Sequence, residues 1–265
     1  MEDVSLLQLL AGTAGALGIA TVSYRLKFLG KGGATAQGIL GTILLGVGGW
    51  QWTVPMLVFF LTASSLSKFA DRNRKDIVLE GRGSTRDAIQ VFSNGGIAGG
   101  LVLLGVCLHD ARMYLPFLGA VAAAAADTIA TEIGTVYGSR PRLITSLKPA
   151  PSGTSGAVTG MGLLGAFGGA AMVSVAGLPW VPGKEFVAVL PSVAGGMAGS
   201  LVDSILGASA QGRFQCNGCG KLTEQVTHCG QPARLVAGSR FLTNDVVNIL
   251  CTAVGAICAA LLSSS

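Results

Sequence analysis

Two acidic residues, Asp127 and Glu132, are the strongest candidates for a functional site in this sequence. Asp127 follows a run of small apolar residues at 120–126, and Glu132 comes five positions later in ADTIATEIG. On one α-helix that spacing leaves the carboxylates about 140° apart, so they reach one ion only if the helix ends or unwinds between them. Gly134, just beyond, favours such an ending. The pair therefore predicts an acidic metal site.

A loop rich in Gly, Ser and Thr follows the acidic pair and is typical of a surface that holds phosphate. The loop is PSGTSG at 151–156, with Arg140, Arg142 and Lys148 before it. It is not a P-loop, because it lacks G-x-x-x-x-G-K-[ST] and no strand precedes it. We expect it to open the sixth membrane span, where the backbone N–H groups of a helix N-terminus bind anions. Its candidate phosphate ligands are Gly153, Thr154, Ser155 and Gly156.

A second anion-binding segment precedes the fourth span. EGRGSTRDAIQVFSNGG, 80–96, has the form of a turn that leads into a helix N-terminus, so Arg82 and Arg86 are expected to bind an anion. Asn94 falls about one turn into the span, where a carboxamide costs free energy unless it is paired. We interpret all three residues as functional.

Two later segments place more polar groups at span ends. Asp203-Ser204 follows small residues just as Asp127-Thr128 does, which hints at an internal repeat of spans 5–6 and 7–8. Asn244, Asp245 and Asn248 open the last span, with Asn244 and Asn248 on one helix face. We expect these groups to lie at the same end of the protein as Asp127.

The composition explains why these residues must be positioned by membrane helices. Of 265 residues, 50% are hydrophobic, 12% are charged and 40 are glycine. A soluble domain carries about 25% charged residues, so the sequence predicts an all-α polytopic membrane protein packed by small residues. We predict one transmembrane domain, 1–265, with eight spans. They are about 4–22, 34–50, 52–67, 91–108, 113–130, 157–177, 186–207 and 245–262.

The Lys and Arg residues predict the orientation. If both termini lie outside, 16 of the 18 cations fall in the four inside connections, and Arg112 and Lys184 are the two left outside. The net charge of +5 then belongs to a cytoplasmic face that suits anionic lipid or a phosphorylated substrate, rather than nucleic acid. We expect the active site on that face. The inside connections are 23–33, 68–90, 131–156 and 208–244.

The connection 208–244 also predicts a structural zinc site. Cys216, Cys219 and Cys229 give C-x2-C-x9-C, with His228 beside the last cysteine. A disulfide is not expected in a reducing compartment, and the spacing fits a zinc knuckle. Adjacent ligands are unusual, so the fourth ligand stays open between His228 and another group. The other three cysteines lie in spans and are interpreted as core.

The assembled motifs resemble the membrane family of unknown-function domains that includes the plant phytyl-phosphate kinase and human transmembrane protein 19. The resemblance covers nearly the whole chain, and D-T-x-x-x-E-x-G and P-x-G-T-x-G are its more specific elements. It rests on KFADRNRKD (68–76), GRGSTRDAIQVFSNGG (81–96), ADTIATEIG (126–134), RPRLITSLKPAPSGTSGAVT (140–159), LVDSILGASAQ (201–211) and LTNDVVN (242–248).

The resemblance implies a kinase that transfers a phosphoryl group from CTP, or another nucleoside triphosphate, to an isoprenyl monophosphate such as phytyl or geranylgeranyl phosphate. Phosphoryl transfer depends mainly on positioning and charge neutralisation. Asp127, Glu132 and Asp203 would hold Mg²⁺ and, with Asn94, form the catalytic set. The implied substrate ligands outside the 153–156 loop are Lys68, Arg72, Arg82, Arg86, Arg142, Lys148, Asn244 and Asn248. The isoprenyl tail would lie between Gly/Ala-rich spans, open to membrane lipid.

The alternative function is a transporter or flippase of an anionic lipid or isoprenyl phosphate. Acidic residues within spans and an internal repeat are typical of carriers too. A carrier wants charged residues near the midplane, whereas the sequence predicts Asp127, Asp203 and Asp245 at cytoplasmic helix ends. We therefore favour the kinase.

Overall fold

The structure is a computed structural model that describes residues 4–73, 85–181 and 185–263. The chain is mostly helical, which confirms the predicted class. Among the described residues, seven helices, all except α2, are long and apolar enough to cross a membrane. The helices are α1 (Leu6–Arg25), α2 (Lys31–Gly41), α3 (Trp50–Asn73), α4 (Ala88–Cys107), α5 (Tyr114–Val136), α6 (Gly160–Gly177), α7 (Leu190–Ser209) and α8 (Asn244–Ser263).

The second predicted span is a composite helix. α2 continues directly into a π-helical segment, Thr42–Gly48, so neither part alone is as long as a span. π-Helix is rare and adds a residue to each turn. The segment packs against α1 so closely that a Cβ on Gly12 would lie 2.4 Å from the Cα atom of Gly46.

α5 is the centre of the bundle because its small residues let neighbouring helices approach from several sides. Ala120–Ala126 are at most 1% exposed. A Cβ on Gly119 would lie 2.4 Å from the carbonyl oxygen of Gly255 in α8, and one on Gly199 in α7 would lie 2.5 Å from that of Cys251. Inside a membrane such packing replaces the hydrophobic effect as the main attraction between helices. α5, α7 and α8 therefore form a tightly packed unit.

Two small β-structures lie in the connections. β1 (Arg142–Leu143) pairs antiparallel with β2 (Ala157–Val158) before α6. Between α7 and α8 the predicted loop 208–244 is instead folded as an antiparallel sheet of order β4-β3-β6-β5. Sequence periodicity gave no signal for these strands because most are only two to four residues long. The strands are β3 (Arg213–Cys216), β4 (Leu222–Thr223), β5 (Thr227–His228) and β6 (Gln231–Ala237).

The described cations lie at one end of the bundle. Every described Lys or Arg except Arg112 is in a connection or helix end on the side where α1, α3, α5 and α7 end. This is the distribution that the positive-inside rule associates with the cytoplasmic face. Arg112 lies at the opposite end, in the link between α4 and α5, where it forms an ion pair with Asp110 at 2.9 Å.

The close packing of α5 on α8 predicts the effect of a single methyl group. Gly255→Ala should lower the free energy of unfolding by about 1–3 kcal/mol, because its Cβ would lie 2.5 Å from the carbonyl oxygen of Gly119. Gly168→Ala in α6 is the control, since a Cβ there meets nothing within 4 Å among the described residues. Thermal unfolding in detergent measures both. Equal stabilities of the two variants would contradict this packing.

The orientation can be tested with reporter fusions at the two ends of the bundle. Alkaline phosphatase fused after Leu262 should be active, because α8 is predicted to end outside. The same reporter fused after Ser152, in the predicted cytoplasmic connection, should be inactive. Green fluorescent protein should give the converse pattern. Active phosphatase at Ser152 would reverse the orientation.

Candidate functional site

One large cavity gathers most of the predicted site residues. Its volume is about 510 Å³, and it lies between the C-terminal parts of α3, α5 and α7 and the N-terminal parts of α4, α6 and α8. The helices alternate in direction, so polar groups that are far apart in sequence meet at this end. The predicted residues that line it are Arg86, Asn94, Asp127, Glu132, Gly153, Thr154, Ser155, Gly156, Asp203, Asn244 and Asn248.

The helix does not unwind between the two acids, contrary to the prediction. α5 continues to Val136, so Asp127 lies nine residues before its end and deeper than expected. Both carboxylates nevertheless line the cavity, because it extends around one side of α5. Glu132 is 9% exposed, and its Oε1 accepts a hydrogen bond of 2.7 Å from the Ser67 hydroxyl. α3 thus fixes the orientation of this carboxylate.

The packing of α7 and α8 on α5 brings Asp203 and Asn248 to the same cavity. Gly199 lies one turn before Asp203 in α7, and Cys251 lies three residues after Asn248 in α8. The contact between Gly199 and Cys251 therefore sets the positions of Asp203 and Asn248 relative to each other along the helix axes. Within the described ranges, no three acidic side chains bring ligand atoms within 4.8 Å of one another. A cation bound here would therefore take some ligands from a substrate or water, which is usual for Mg²⁺.

The Gly-rich loop lines the cavity but does not open a helix as predicted. α6 begins at Gly160 rather than 157, and its N-cap Thr159 accepts a hydrogen bond of 3.0 Å from the Gly162 N–H. The loop is instead held against α7. Gly156 has φ +75°, and a Cβ there would lie 2.3 Å from the backbone nitrogen of Ala208. Ser155 donates a hydrogen bond of 3.1 Å to Gln211. Only glycine fits the tight contact at position 156.

Arg86 is the single Lys or Arg, among residues the structure describes, that lines the cavity. The backbone N–H of Arg86 donates a hydrogen bond to the Phe28 carbonyl, and its backbone carbonyl accepts one from the Gly30 N–H, both at 3.0 Å. Burial lowers the pKa of its guanidinium to about 10, so it remains charged at neutral pH. The following residue, Asp87, caps α4 by accepting a hydrogen bond of 2.9 Å from Gln90. The connection between α1 and α2 thus holds a cation at the cavity.

Four other predicted cations do not line the cavity. α3 runs on to Asn73, so Lys68 lies on the helix, donates to the Leu26 carbonyl and sits 4.2 Å from the Phe28 ring centroid. Arg142 donates to the Leu147 carbonyl at 2.7 Å within its own hairpin. Arg72 and Lys148 are exposed. Charge in a connection could be read from sequence, but the direction of each side chain could not. Arg82 lies outside the described residues.

The structure adds lining residues that sequence reasoning missed. Asp71 belongs to the motif at 68–76, so its proximity to predicted site residues was a signal for it, and Asp245 was already expected at this end of the protein. Ser67 and Gln90 carried no signal, since hydroxyl and amide side chains in helices are usually structural. The connection Thr223–Thr227 also lines the cavity, and nothing in its composition indicated that.

An apolar pocket of about 70 Å³ adjoins this cavity. It lies among α1, α2 and its π-helical extension, α3 and α4, with a wall that includes Leu40 and Phe60. Arg86, Gln90 and Asn94 line both the pocket and the cavity. The site therefore has a polar part and an apolar part that meet at these three side chains.

The cysteine cluster forms outside the bundle. The ligand atoms of Cys216, Cys219, His228 and Cys229 all lie within 4.8 Å of one another. The Sγ atoms of Cys219 and Cys229 are 3.8 Å apart, and Cys219 Sγ is 3.5 Å from His228 Nδ1. Tetrahedral Zn²⁺ places two sulfur ligands about 3.8 Å apart, and a sulfur and a nitrogen about 3.5 Å apart. The donor set and the distances fit zinc.

The local backbone explains how two adjacent residues both face this point. Side chains of successive residues in a strand point in opposite directions, which is why adjacent ligands were not expected. Cys229 has φ +53° and Gly230 has φ +72°, so the chain turns sharply after β5 and brings the Cys229 thiol back beside His228. A hydrogen bond with the Cys219 backbone lowers the pKa of Cys216 to about 6, whereas the side-chain hydrogen bond with Cys219 raises the pKa of Cys229 to about 11. The two thiols therefore differ in how readily each forms the thiolate that binds metal.

Comparison with known proteins gives a consistent picture. The family described as "Integral membrane protein DUF92" matches residues 10–256. "Protein PGR" of Arabidopsis thaliana is 31% identical over 257 residues, which cover 88% of each chain. An uncharacterized membrane protein of Methanocaldococcus jannaschii is 28% identical over 72% of this chain and 78% of its own. "Protein VTE6, chloroplastic" of Arabidopsis thaliana is 27% identical over 87% of this chain and 65% of its own. No solved structure matches the chain.

Proposed function

This chain belongs to the DUF92 family of integral membrane proteins, and from that premise we propose that it is an isoprenyl-phosphate kinase. The proposed reaction transfers the terminal phosphoryl group of CTP, or another nucleoside triphosphate, to an isoprenyl monophosphate such as phytyl or geranylgeranyl phosphate. The motif resemblance to the family of the plant phytyl-phosphate kinase supports this chemistry. We place the active site on the cytoplasmic face, where nucleotide is available.

The observation that carries the proposal is the junction of the polar cavity with the apolar pocket. An isoprenyl monophosphate has a charged head and a hydrocarbon tail, so it needs both environments side by side. Arg86 at the junction neutralises the head, and Gln90 and Asn94 offer amide groups beside it. The tail extends among α1–α4 towards lipid. The rest of the 510 Å³ cavity has room for the nucleotide phosphates.

The donor set of the cavity fits Mg²⁺. Asp127, Glu132 and Asp203 supply carboxylate oxygens, the ligand type that Mg²⁺ prefers together with substrate phosphate. Bound Mg²⁺ would neutralise charge on the transferring phosphoryl group. Carboxylates that line one cavity repel one another and the phosphates, and a cation bound among them would lower that repulsion.

The chain's own residues position the reactants. An oxygen of the acceptor phosphate attacks the terminal phosphorus of the nucleotide, the bond from that phosphorus to the bridging oxygen breaks, and the nucleoside diphosphate leaves with the electron pair. The acceptor is already ionised, so no strong general base is needed. Asn244 and Asn248 lie where they can hold phosphate oxygens. The Nδ2 group of Asn244 is buried and lacks a hydrogen-bond partner among the described residues, so it is ready to donate to a ligand.

A transporter or flippase of an anionic lipid is the alternative, and one observation favours it. Asp127 lies nine residues before the end of α5, deeper than the helix end that was expected. The residues before it in α5, Ala120–Ala126, are fully packed, so that side of Asp127 is closed, as in a carrier that is open to one side of the membrane. A carrier requires no nucleotide turnover, so the kinase assay separates the two functions.

Removing either central carboxylate should abolish the reaction. Asp127→Asn and Asp203→Asn should each lower kcat by at least about 100-fold, because metal-assisted charge stabilisation contributes several kcal/mol. The measurement uses purified protein, radiolabelled nucleotide and isoprenyl phosphates of different length, with Asp110→Asn at the opposite end as control. Near-normal Mg²⁺-dependent turnover in the Asp variants would place the metal elsewhere. Wild-type transport without turnover would favour the carrier.

Arg86 should act on the acceptor, because it lies where the apolar pocket begins. Arg86→Ala should raise KM for the isoprenyl phosphate by about 10- to 100-fold, the worth of a charge-assisted hydrogen bond, with a smaller effect on KM for nucleotide. Lys148→Ala removes a cation that does not line the cavity and should change either KM by less than about twofold. Equal effects of the two substitutions would contradict the assigned role of Arg86.

A further inference from the structure

The two hairpins of the β-sheet between α7 and α8 hold the cysteine cluster together. β3 ends at Cys216 and the turn after it carries Cys219, while β5 ends at His228 and the turn after it carries Cys229. The segment between the hairpins, Thr223–Thr227, lines the acidic cavity along its whole length. The ligands therefore flank this segment on both sides, with Cys219 four residues before it and His228 directly after it.

We propose that Cys216, Cys219, His228 and Cys229 bind one Zn²⁺ that fixes residues 223–227 as a wall of the acidic cavity. The metal joins the two hairpins across the segment and so limits the freedom of the connection 224–226 between β4 and β5. Closing such a loop in the folded state limits the conformations that it can otherwise sample. The segment is too short to form a core of its own, so a metal is the natural device for holding it.

Contacts at the base of the sheet orient the wall towards the membrane helices. The Thr223 side chain is 1% exposed, and the Val226 carbonyl accepts a hydrogen bond of 2.9 Å from Ala233 in β6. Gln211, two residues after the end of α7, is 2% exposed and accepts the hydrogen bond from Ser155 of the Gly-rich loop. Gly238 has φ +73°, and a Cβ there would lie 2.0 Å from the Gln211 carbonyl oxygen. The sheet is thus joined to the Gly-rich loop at the edge of the cavity.

The wall carries no cation, since its side chains are Thr223, Glu224, Gln225, Val226 and Thr227. The Glu224 carboxylate would repel the nucleotide phosphates, whereas the hydroxyl and amide groups can form hydrogen bonds with the neutral polar part of a nucleotide, its base and ribose. This assignment of the ligand rests on the proposed function, whereas the zinc site and the wall do not.

The zinc site is tested by the metal content of protein purified without chelator. We expect about one equivalent of zinc in the wild type and in Cys107→Ser, a control cysteine at the other end of the bundle. Cys219→Ser should lose it. Because that variant could also fail to fold, zinc is removed from the wild type with a soluble chelator and then added back. An absence of zinc from the wild type, or its full retention in folded Cys219→Ser, would overturn the proposal.

The wall is tested by hydrogen exchange before and after zinc removal. Amides of residues 222–228 should exchange at least about tenfold faster without zinc and recover when zinc returns, while those of α5 stay unchanged. KM for nucleotide should rise several-fold in parallel, and KM for isoprenyl phosphate should not. Unchanged exchange at 222–228 would overturn the wall even if zinc binds. If no kinase activity is found, zinc content and exchange still decide this proposal.

Discussion

The close approach of α5, α7 and α8 is the constraint on which the rest of this structure depends. It exists because Gly119, Gly199 and Gly255 leave no side chain between helix backbones, and because the alanines of α5 add little bulk. Lipid tails are as apolar as Leu, so van der Waals contact of this kind, rather than the hydrophobic effect, holds the helices together. It also fixes their relative heights. Asp127, Asp203 and Asn248 share one cavity for that reason.

The site divides into groups held by helices and groups held by connections. The acids and Asn94 stand on helices, whose positions are set by packing across the whole bundle. Arg86 and the Gly-rich loop stand on connections, and each is fastened by backbone contacts, Arg86 to the turn at 28–30 and Gly156 to α7. Such separately held groups suit the proposed phosphoryl transfer, which depends on positioning.

The cavity also explains how a chain with so few charges tolerates several acids near the membrane. Burying an uncompensated carboxylate is costly, and the cost falls when water, a hydrogen bond or a cation reaches it. The cavity is large, and Ser67 donates to Glu132. The adjoining apolar pocket gives the site a second, apolar part, which is the combination that the proposed amphiphilic substrate needs.

The sequence by itself determined the fold class, the membrane helices to within about six residues, the family and eleven of the residues that line the acidic cavity. It could do so because hydropathy, glycine content and the distribution of Lys and Arg are local properties of the chain. It also indicated the cysteine cluster, although adjacency left the fourth ligand open until the backbone turn at Cys229 was seen.

Only the tertiary structure decided which cations face the cavity, that α5 continues past Glu132, and that residues 223–227 reach the site. These features depend on contacts between distant segments. Lys68 turns to Phe28 and Arg142 to its own hairpin, so their charge is directed away from the cavity. The meeting of the polar cavity with the apolar pocket likewise depends on how α3 and α4 pack on α5 and on how α2 packs on α1 and α4. A linear pattern records which groups a chain carries, but the direction of each group is set by the neighbours that folding supplies.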